Sequence, residues 1–570
     1  AAALFAFIFF YERNQPTTGD LAAMNASVML FNPEIIDGIV IHNNETEIKL
    51  HSVNGVWQMD APVADRADLK AVAVLLSVAA TLPNEGTLKG GDKEFNVANS
   101  GIRLKLSGKG APPEVLFGKD AAVEGKTYLR LDGSDTVYVT RDLLKKLVIK
   151  KADDYRDHRL TDINIPQVNR ILLKTAAGEI ELQKTRELWE FNKPIKARAD
   201  EQKVTSLIAR IVGAQVDKFI PEKEANAAAT GLAEPRGTVT ITTVDTDKPY
   251  VVQFGQPEGN DKVYARLSTR DSVFLLSSTA ARALETLPND LRDTHLLPLN
   301  FDTVDRITIE PADKPKIVLA RNLENWTIKS QGDQPANLVE VKQLAAAVQK
   351  QQVAEFVTDV ASDLAKYGLD KPQLKLTFSS YASENTAETL AGEHPIGTLS
   401  FGTVNGGNVY AMLEGEPFVV AIHPSLLNHI FTGADQWRDL SIFKFKPSDI
   451  LSINLEREGR PPVAFSRETA GGWKLTKGEG TLNGVAVQSL CNALATLRAV
   501  RRTGPVNESL GFEKPSATLT FTTADQKTEH LVIGNLVPGS MWNAMTNPEN
   551  GAFVLSRPDV EVMQADFVTK

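Results

Sequence analysis

The sequence predicts an α+β protein of four tandem repeats, each a mainly antiparallel sheet with one capped helix packed on it, joined in an elongated array. Three observations predict this. A tryptophan block returns at domain-sized intervals, an apolar helical face follows the same kind of capping residue in every copy, and each copy opens with two alternating strands around a turn.

The block is clearest at Gly55-Val56-Trp57-Gln58-Met59-Asp60-Ala61-Pro62, followed by Ala67-Asp68. Trp189 is followed by Pro194 and Ala199-Asp200 at the same offsets, Trp326 by Ala336-Asn337, and Trp473 by Asn483. Successive tryptophans lie 132, 137 and 147 residues apart. A fixed period outranks any single motif as a guide to the fold. At about 150 residues per domain, a chain of 570 residues has room for four units.

Two strands open each copy. Ile39-Val40-Ile41 and Glu47-Ile48-Lys49-Leu50 flank His42-Asn43-Asn44-Glu45, an alternation with turn residues between, and the other three copies repeat it. The tryptophan starts a third strand. In the helix that follows, Val72, Leu75, Leu76 and Ala79 sit at i, i+3, i+4 and i+7. Val204, Leu207, Ile208 and Ile211 do the same, as do Val341, Leu344, Ala345 and Val348, and Val487, Leu490, Cys491 and Leu494. Each set forms one apolar face. Asp68, Asp200, Asn337 and Asn483 precede these helices, and such side chains accept from the unpaired amides of a first turn.

A small loop comes next: Thr230-Gly231-Leu232, Tyr367-Gly368-Leu369 and Leu510-Gly511-Phe512, with Phe95-Asn96-Val97 in the first copy. Glycine and asparagine share a tolerance of positive φ, which predicts a left-handed turn. Further strands end at Phe117-Gly118, Phe254-Gly255, Phe401-Gly402 and Ile533-Gly534, and Tyr128, Tyr264, Tyr410 and Trp542 mark the next ones. The closing segments carry Arg156-Asp157, Arg292-Asp293 and Arg438-Asp439. The fourth copy lacks the pair, which suits a motif used only to join a following copy or one lost beyond Lys570. These landmarks place the end of an N-terminal membrane anchor at 1–11, a spacer at 12–33, and repeats at 34–160, 161–297, 298–442 and 443–570.

The anchor is expected because Ala1–Tyr11 is uninterrupted apolar and ends in aromatics, unlike a cleaved signal, which ends in small residues. Eleven residues do not span a bilayer, so the segment reads as the last part of a longer one. The formal charge of -9 gives no concentrated basic face for nucleic acid. Cys491 is the only cysteine, which excludes internal disulfides and thiolate zinc sites. The eight histidines form no His-x-x-x-His pair, and no nucleophile elbow or phosphate loop occurs. No enzyme, cofactor or metal is therefore expected.

Together these landmarks resemble domain-of-unknown-function family 4340: an apolar N-terminal segment, W-x-x-x-x-P with Ala-Asp before a helix, YGLDKP, F-G, V-Y-A-R at Val263 to Arg266 and D-L-R-D at Asp290 to Asp293. The resemblance runs from about residue 34 to 570. It implies a bacterial inner-membrane protein with the bulk of the chain periplasmic. It also implies a non-catalytic scaffold or adaptor beside an ABC-type transporter of the gliding-motility kind, whose subunits would be its protein partners. The alternative is an envelope glycan- or lipid-binding protein using inter-repeat grooves.

Tryptophan and tyrosine at fixed places in a repeat are expected to be core rather than ligand platforms. Cys491 is expected to be a buried small hydrophobe. The candidate contact residues are Arg156, Asp157, Arg292, Asp293, Arg438 and Asp439, read as ties between repeats or as contacts to a partner.

Overall fold

In the computed structural model the described residues are 27–569, without 45, 92, 222, 224, 383–391 and 469–470. The expected anchor at 1–11 lies outside them. The chain divides into two compact units, one running to Asp293 and the other starting at Thr294.

The opening hairpins show why strands form. In Ile36–Asn43, Ile39 faces Leu50 on one side and Leu106 on the other, while Ile41 faces Ile48 and Leu104. All six are buried, so every second side chain enters the core and a one-residue slip would expose the whole set. Ile171 and Leu173 repeat this against Leu182 and Ile180, and against Ile241 and Val239.

The first unit contains two nine-stranded sheets with one topology. Numbered within a sheet in chain order, the strands lie 4-3-2-1-6-7-8-9-5, and every recorded pairing is antiparallel. The second unit repeats that order in a nine-stranded sheet and follows it with an eight-stranded one. The architecture of the described residues is mostly β: antiparallel sheets in series with few helices. Strand content exceeds what an α+β description suggests, because each copy has one long helix against eight or nine strands.

Among the described residues the four long helices are α1 (Leu69–Ala80), α2 (Glu201–Val212), α3 (Leu338–Lys350) and α4 (Gly484–Ala495). In the nine-stranded sheets the helix carries the chain from the fourth strand, at one edge, to the fifth, at the other, so it must cross the sheet. Its apolar stripe makes the crossing favourable. Val72, Leu75, Leu76 and Ala79 are buried in α1, and the corresponding four in each other helix are buried too. A buried aliphatic side chain contributes roughly 1.5–3 kcal/mol. Asp68 accepts from the Lys70 and Ala71 amides, Asp200 from Lys203, Asn337 from Val339 and Asn483 from Ala486, which satisfies donors the helix itself leaves open. No helix among the described residues is long and apolar enough to cross a membrane.

The loop after each helix explains a second sequence signal. Asn96, Gly231, Gly368 and Gly511 take φ of +56°, +67°, +66° and +81°. The residue before each of them turns its carbonyl onto the backbone of Gly118, Gly255, Gly402 or Gly534, where a Cβ would overlap that oxygen. The Phe-Gly pairs are thus close-approach points between a turn and a strand. We expect Gly402→Ala to lower the stability of the full chain by about 1–3 kcal/mol, the usual cost of overpacking. A denaturant midpoint unchanged from wild type would contradict the contact.

Candidate functional site: the arginine joints

The Arg-Asp pairs begin as backbone features. The cap residue of each long helix points its own amide outward, and the closing segment of the same copy receives it. Asp68 donates to the Tyr155 carbonyl at 2.8 Å, Asp200 to Leu291 at 2.8 Å and Asn337 to Trp437 at 2.7 Å. One residue on, Arg156, Arg292 and Arg438 bridge to Ala67, Ala199 and Ala336. Asp157, Asp293 and Asp439 then donate their amides to Arg66, Arg198 and Pro335. Tyr155, Leu291 and Trp437 are buried beneath this short ladder.

The fourth sheet lacks the Arg-Asp pair, as the sequence shows, yet keeps the backbone contact. Asn483 donates to the Phe567 carbonyl at 2.8 Å, and Thr481–Leu482 pairs with Val568–Thr569 as a two-stranded sheet. The interaction is made by backbone, so Phe567-Val568-Thr569 performs it without an Arg-Asp pair.

Beyond the pair, the chain clasps the end of the next helix. In the first unit Leu160 donates to Ala214, and Val216 donates to His158. In the second unit Ile442 donates to Leu497, and Ala499 to Leu440. One strap of a few residues therefore closes one sheet's helix and opens the next.

Side chains then distinguish the joints. In the first unit, the Asp65 carboxylate is 1% exposed. Arg156 donates to it from Nε at 2.8 Å, and Arg270 forks onto it with Nε at 2.7 Å and Nη2 at 2.8 Å. Arg156 also donates to Ser272 Oγ and lies 3.8 Å over the centre of the Phe219 ring, while Arg270 donates to the carbonyls of Arg159 and Asp157. Asp157 faces Arg159 through two hydrogen bonds of 3.0 and 2.9 Å. Burial works to raise the Asp65 pKa, but the Arg270 hydrogen bonds and the charges of Arg270 and Arg156 outweigh it and hold the carboxyl below its ordinary value. Arg156 and Asp157 are buried, so their chemistry is spent inside the joint.

Arg292 is also fully buried, with Nη1 3.2 Å from Asn289 Oδ1, and Asp293 lies 3.4 Å from Arg198. Arg438 and Asp439 are half-buried. Arg438 donates to Gln334 Oε1 at 3.2 Å, and Asp439 lies 3.5 Å from Lys444. Both line a cleft of about 720 Å³ with Arg502. Guanidinium groups hold carboxylates and phosphates in fixed forks but do not exchange protons near neutral pH, so these joints are built for binding and bracing.

Sequence reasoning missed Asp65 and Arg270, which meet across 205 positions. The aromatic residues sort clearly. Trp57, Trp189 and Trp326 are buried, Trp473 is half-buried, and Tyr128, Tyr264, Tyr410 and Trp542 are half-buried. Cys491 is buried in the fourth core, and burial pushes its thiol from the ordinary 9.0 to about 11. No group of three or more potential metal ligands occurs among the described residues.

Asp65→Asn should cost about 3–5 kcal/mol, because it leaves two buried guanidiniums without their counter-charge. The sign with pH follows from the lowered pKa. The Asp65 contribution is present above the ordinary carboxyl range near 4 and is lost as the pH falls below it. Wild type should therefore lose more stability than the variant between neutral pH and that range's acid side, and parallel acid titrations of the two would contradict the assignment.

Residues 57–188, 189–334 and 326–508 match the family model described as Domain of unknown function (DUF4340). No curated protein matches the chain. Among solved structures the chain is similar to a "Putative DNA polymerase III beta subunit" from Eubacterium rectale, at 8% identity over 70% of this chain and 94% of that one, with a TM-score of 0.12. The matched segments start at or beside the tryptophans and together span most of the chain, which belongs to the DUF4340 family.

Proposed function

We propose that the protein is a non-catalytic scaffold or adaptor, held at a bacterial inner membrane by its N-terminal segment, with the bulk of the chain extracytoplasmic. Its partners are the subunits of an ABC-type transporter of the gliding-motility kind. In this reading the four sheets are equivalent tandem copies, with limits at 34–160, 161–297, 298–442 and 443–570, each with its capped helix.

The observation that supports it most is the recurring strap. Asp68, Asp200, Asn337 and Asn483 all give their amides to a closing segment, and the charged residues of the first joint are consumed in bracing it. Such investment in fixed geometry suits a part that holds partners at a set spacing, and repeat arrays generally present long surfaces for binding. The second reading, an envelope glycan or lipid binder, draws on the cleft beside Arg438. It loses the aromatic row it would need, since Trp57, Trp189 and Trp326 are core residues.

Cross-linking in intact membranes, followed by purification of the tagged full chain in mild detergent, tests the scaffold reading. Recovery of ATP-binding and membrane-spanning transporter subunits is the expected result. A chain that repeatedly emerges with no transporter subunit attached would contradict it.

A further inference from the structure

The joint of the second unit also gathers two arginines, one of them from a different position than in the first unit, but has no carboxylate in the place of Asp65. Gln334 stands where Asp65 stands. Each lies eight residues after its tryptophan, in the short fourth strand, just before the residue whose carbonyl receives the closing amide. Arg438 holds the place of Arg156, bridging to Ala336 as Arg156 does to Ala67. Arg502 holds the place of Phe219, since Arg502 pairs with Phe553 as Phe219 pairs with Phe274. The first joint thus has two arginines around one aspartate. The second has two arginines beside an uncharged amide.

The space is open as well. Arg438, Arg502 and Gln334 line the cleft of about 720 Å³, large enough for a small organic ligand. Arg502 donates from Nη2 to the Asp439 carbonyl at 3.1 Å, but its buried Nε has no hydrogen-bond partner among the described residues. Burial, and then the charge of Arg438, lower the Arg502 pKa, and the opposing charges of Asp439 and Asp435 do not offset them.

Most acidic groups of the cleft wall are held by other partners, although the charge of Asp439 also acts on Arg502. Asp439 lies 3.5 Å from Lys444, and Asp525 lies 2.9 Å from Lys527 and accepts from Thr523 at 2.6 Å. Asp449 accepts the Lys446 amide at 2.9 Å, and Glu529 sits in the field of Lys527. Arg438 is paired with Asp435, at 3.8 Å and 74% exposed, a contact that solvent screens.

We propose that this cleft binds a ligand carboxylate between Arg438 and Arg502, in the place that Asp65 fills from within the chain in the first unit. The planar fork of a guanidinium matches a carboxylate through paired hydrogen bonds. The site needs neither a membrane nor a transporter, so it stands or falls apart from the scaffold reading.

Calorimetric titration of the full chain with citrate, with a capped penta-glutamate peptide and with inorganic phosphate tests it. Citrate represents a free polycarboxylate and the peptide a protein side chain, so whichever binds tighter identifies the source. Arg438→Gln and Arg502→Gln should each weaken carboxylate binding about tenfold or more, the loss expected for a charged hydrogen-bonded contact. Gln334→Asp should abolish it by supplying the missing carboxylate internally, and should raise the melting temperature in the absence of ligand. Arg502→Lys keeps the charge without the fork and should bind at an intermediate level. Millimolar citrate and peptide that both fail to bind would overturn the proposal. So would binding untouched by Gln334→Asp and Arg502→Gln, or phosphate bound more tightly than either carboxylate.

Discussion

The backbone hydrogen bond from each helix cap to the closing segment is the constraint on which the rest depends. A helix that crosses a sheet from edge to edge has to be fixed where it starts, and its N-terminal amides have to be satisfied. The cap side chain meets part of that need from within, through Asp68, Asp200, Asn337 and Asn483. The amide of the cap residue itself faces away from the helix, and a second segment receives it. Tyr155, Leu291, Trp437 and Phe567 provide that segment, each buried so that the bond is shielded from water. A shielded bond of this kind is costly to leave unmade, so the closing segment is drawn to one place in every sheet.

The strap also explains how sheets follow one another. The same stretch that closes α1 proceeds through Arg159 and Leu160 to the end of α2, and the stretch that closes α3 proceeds through Ser441 and Ile442 to the end of α4. Side chains then decide what each joint becomes. With an aspartate at position 65 and arginines at 156 and 270, the joint of the first unit fills itself and braces two sheets. With a glutamine at 334 and arginines at 438 and 502, the joint of the second unit stays open as a cleft. A single backbone design thus yields a brace in one place and a binding surface in another.

Much of this was legible in the sequence, and the parts that were not share a cause. The tryptophans, the caps, the apolar stripes and the left-handed turn at Asn96 or its glycine counterparts all act over short distances, so periodicity and residue type reveal them. The strand order 4-3-2-1-6-7-8-9-5 is non-local, because strand six returns to strand one after a helix, and no local pattern encodes that pairing. Asp65 and Arg270 were hidden for the same reason, being ordinary polar residues until the fold brings them together. The fourth closing segment was hidden differently. Its hydrogen bonds belong to the backbone, so Phe567-Val568-Thr569 carries no side-chain mark of the role. The Phe-Gly pairs were visible as landmarks, but the carbonyl pressed against each glycine could be seen only in the fold.

Amide hydrogen exchange at the four cap residues measures the central constraint directly. The amides of Asp68, Asp200, Asn337 and Asn483 should exchange as slowly as those of the central strands in their own sheets, opening only with the sheet as a whole. Exchange at these four positions at the rate of exposed loop amides, with the central strands still protected, would contradict it.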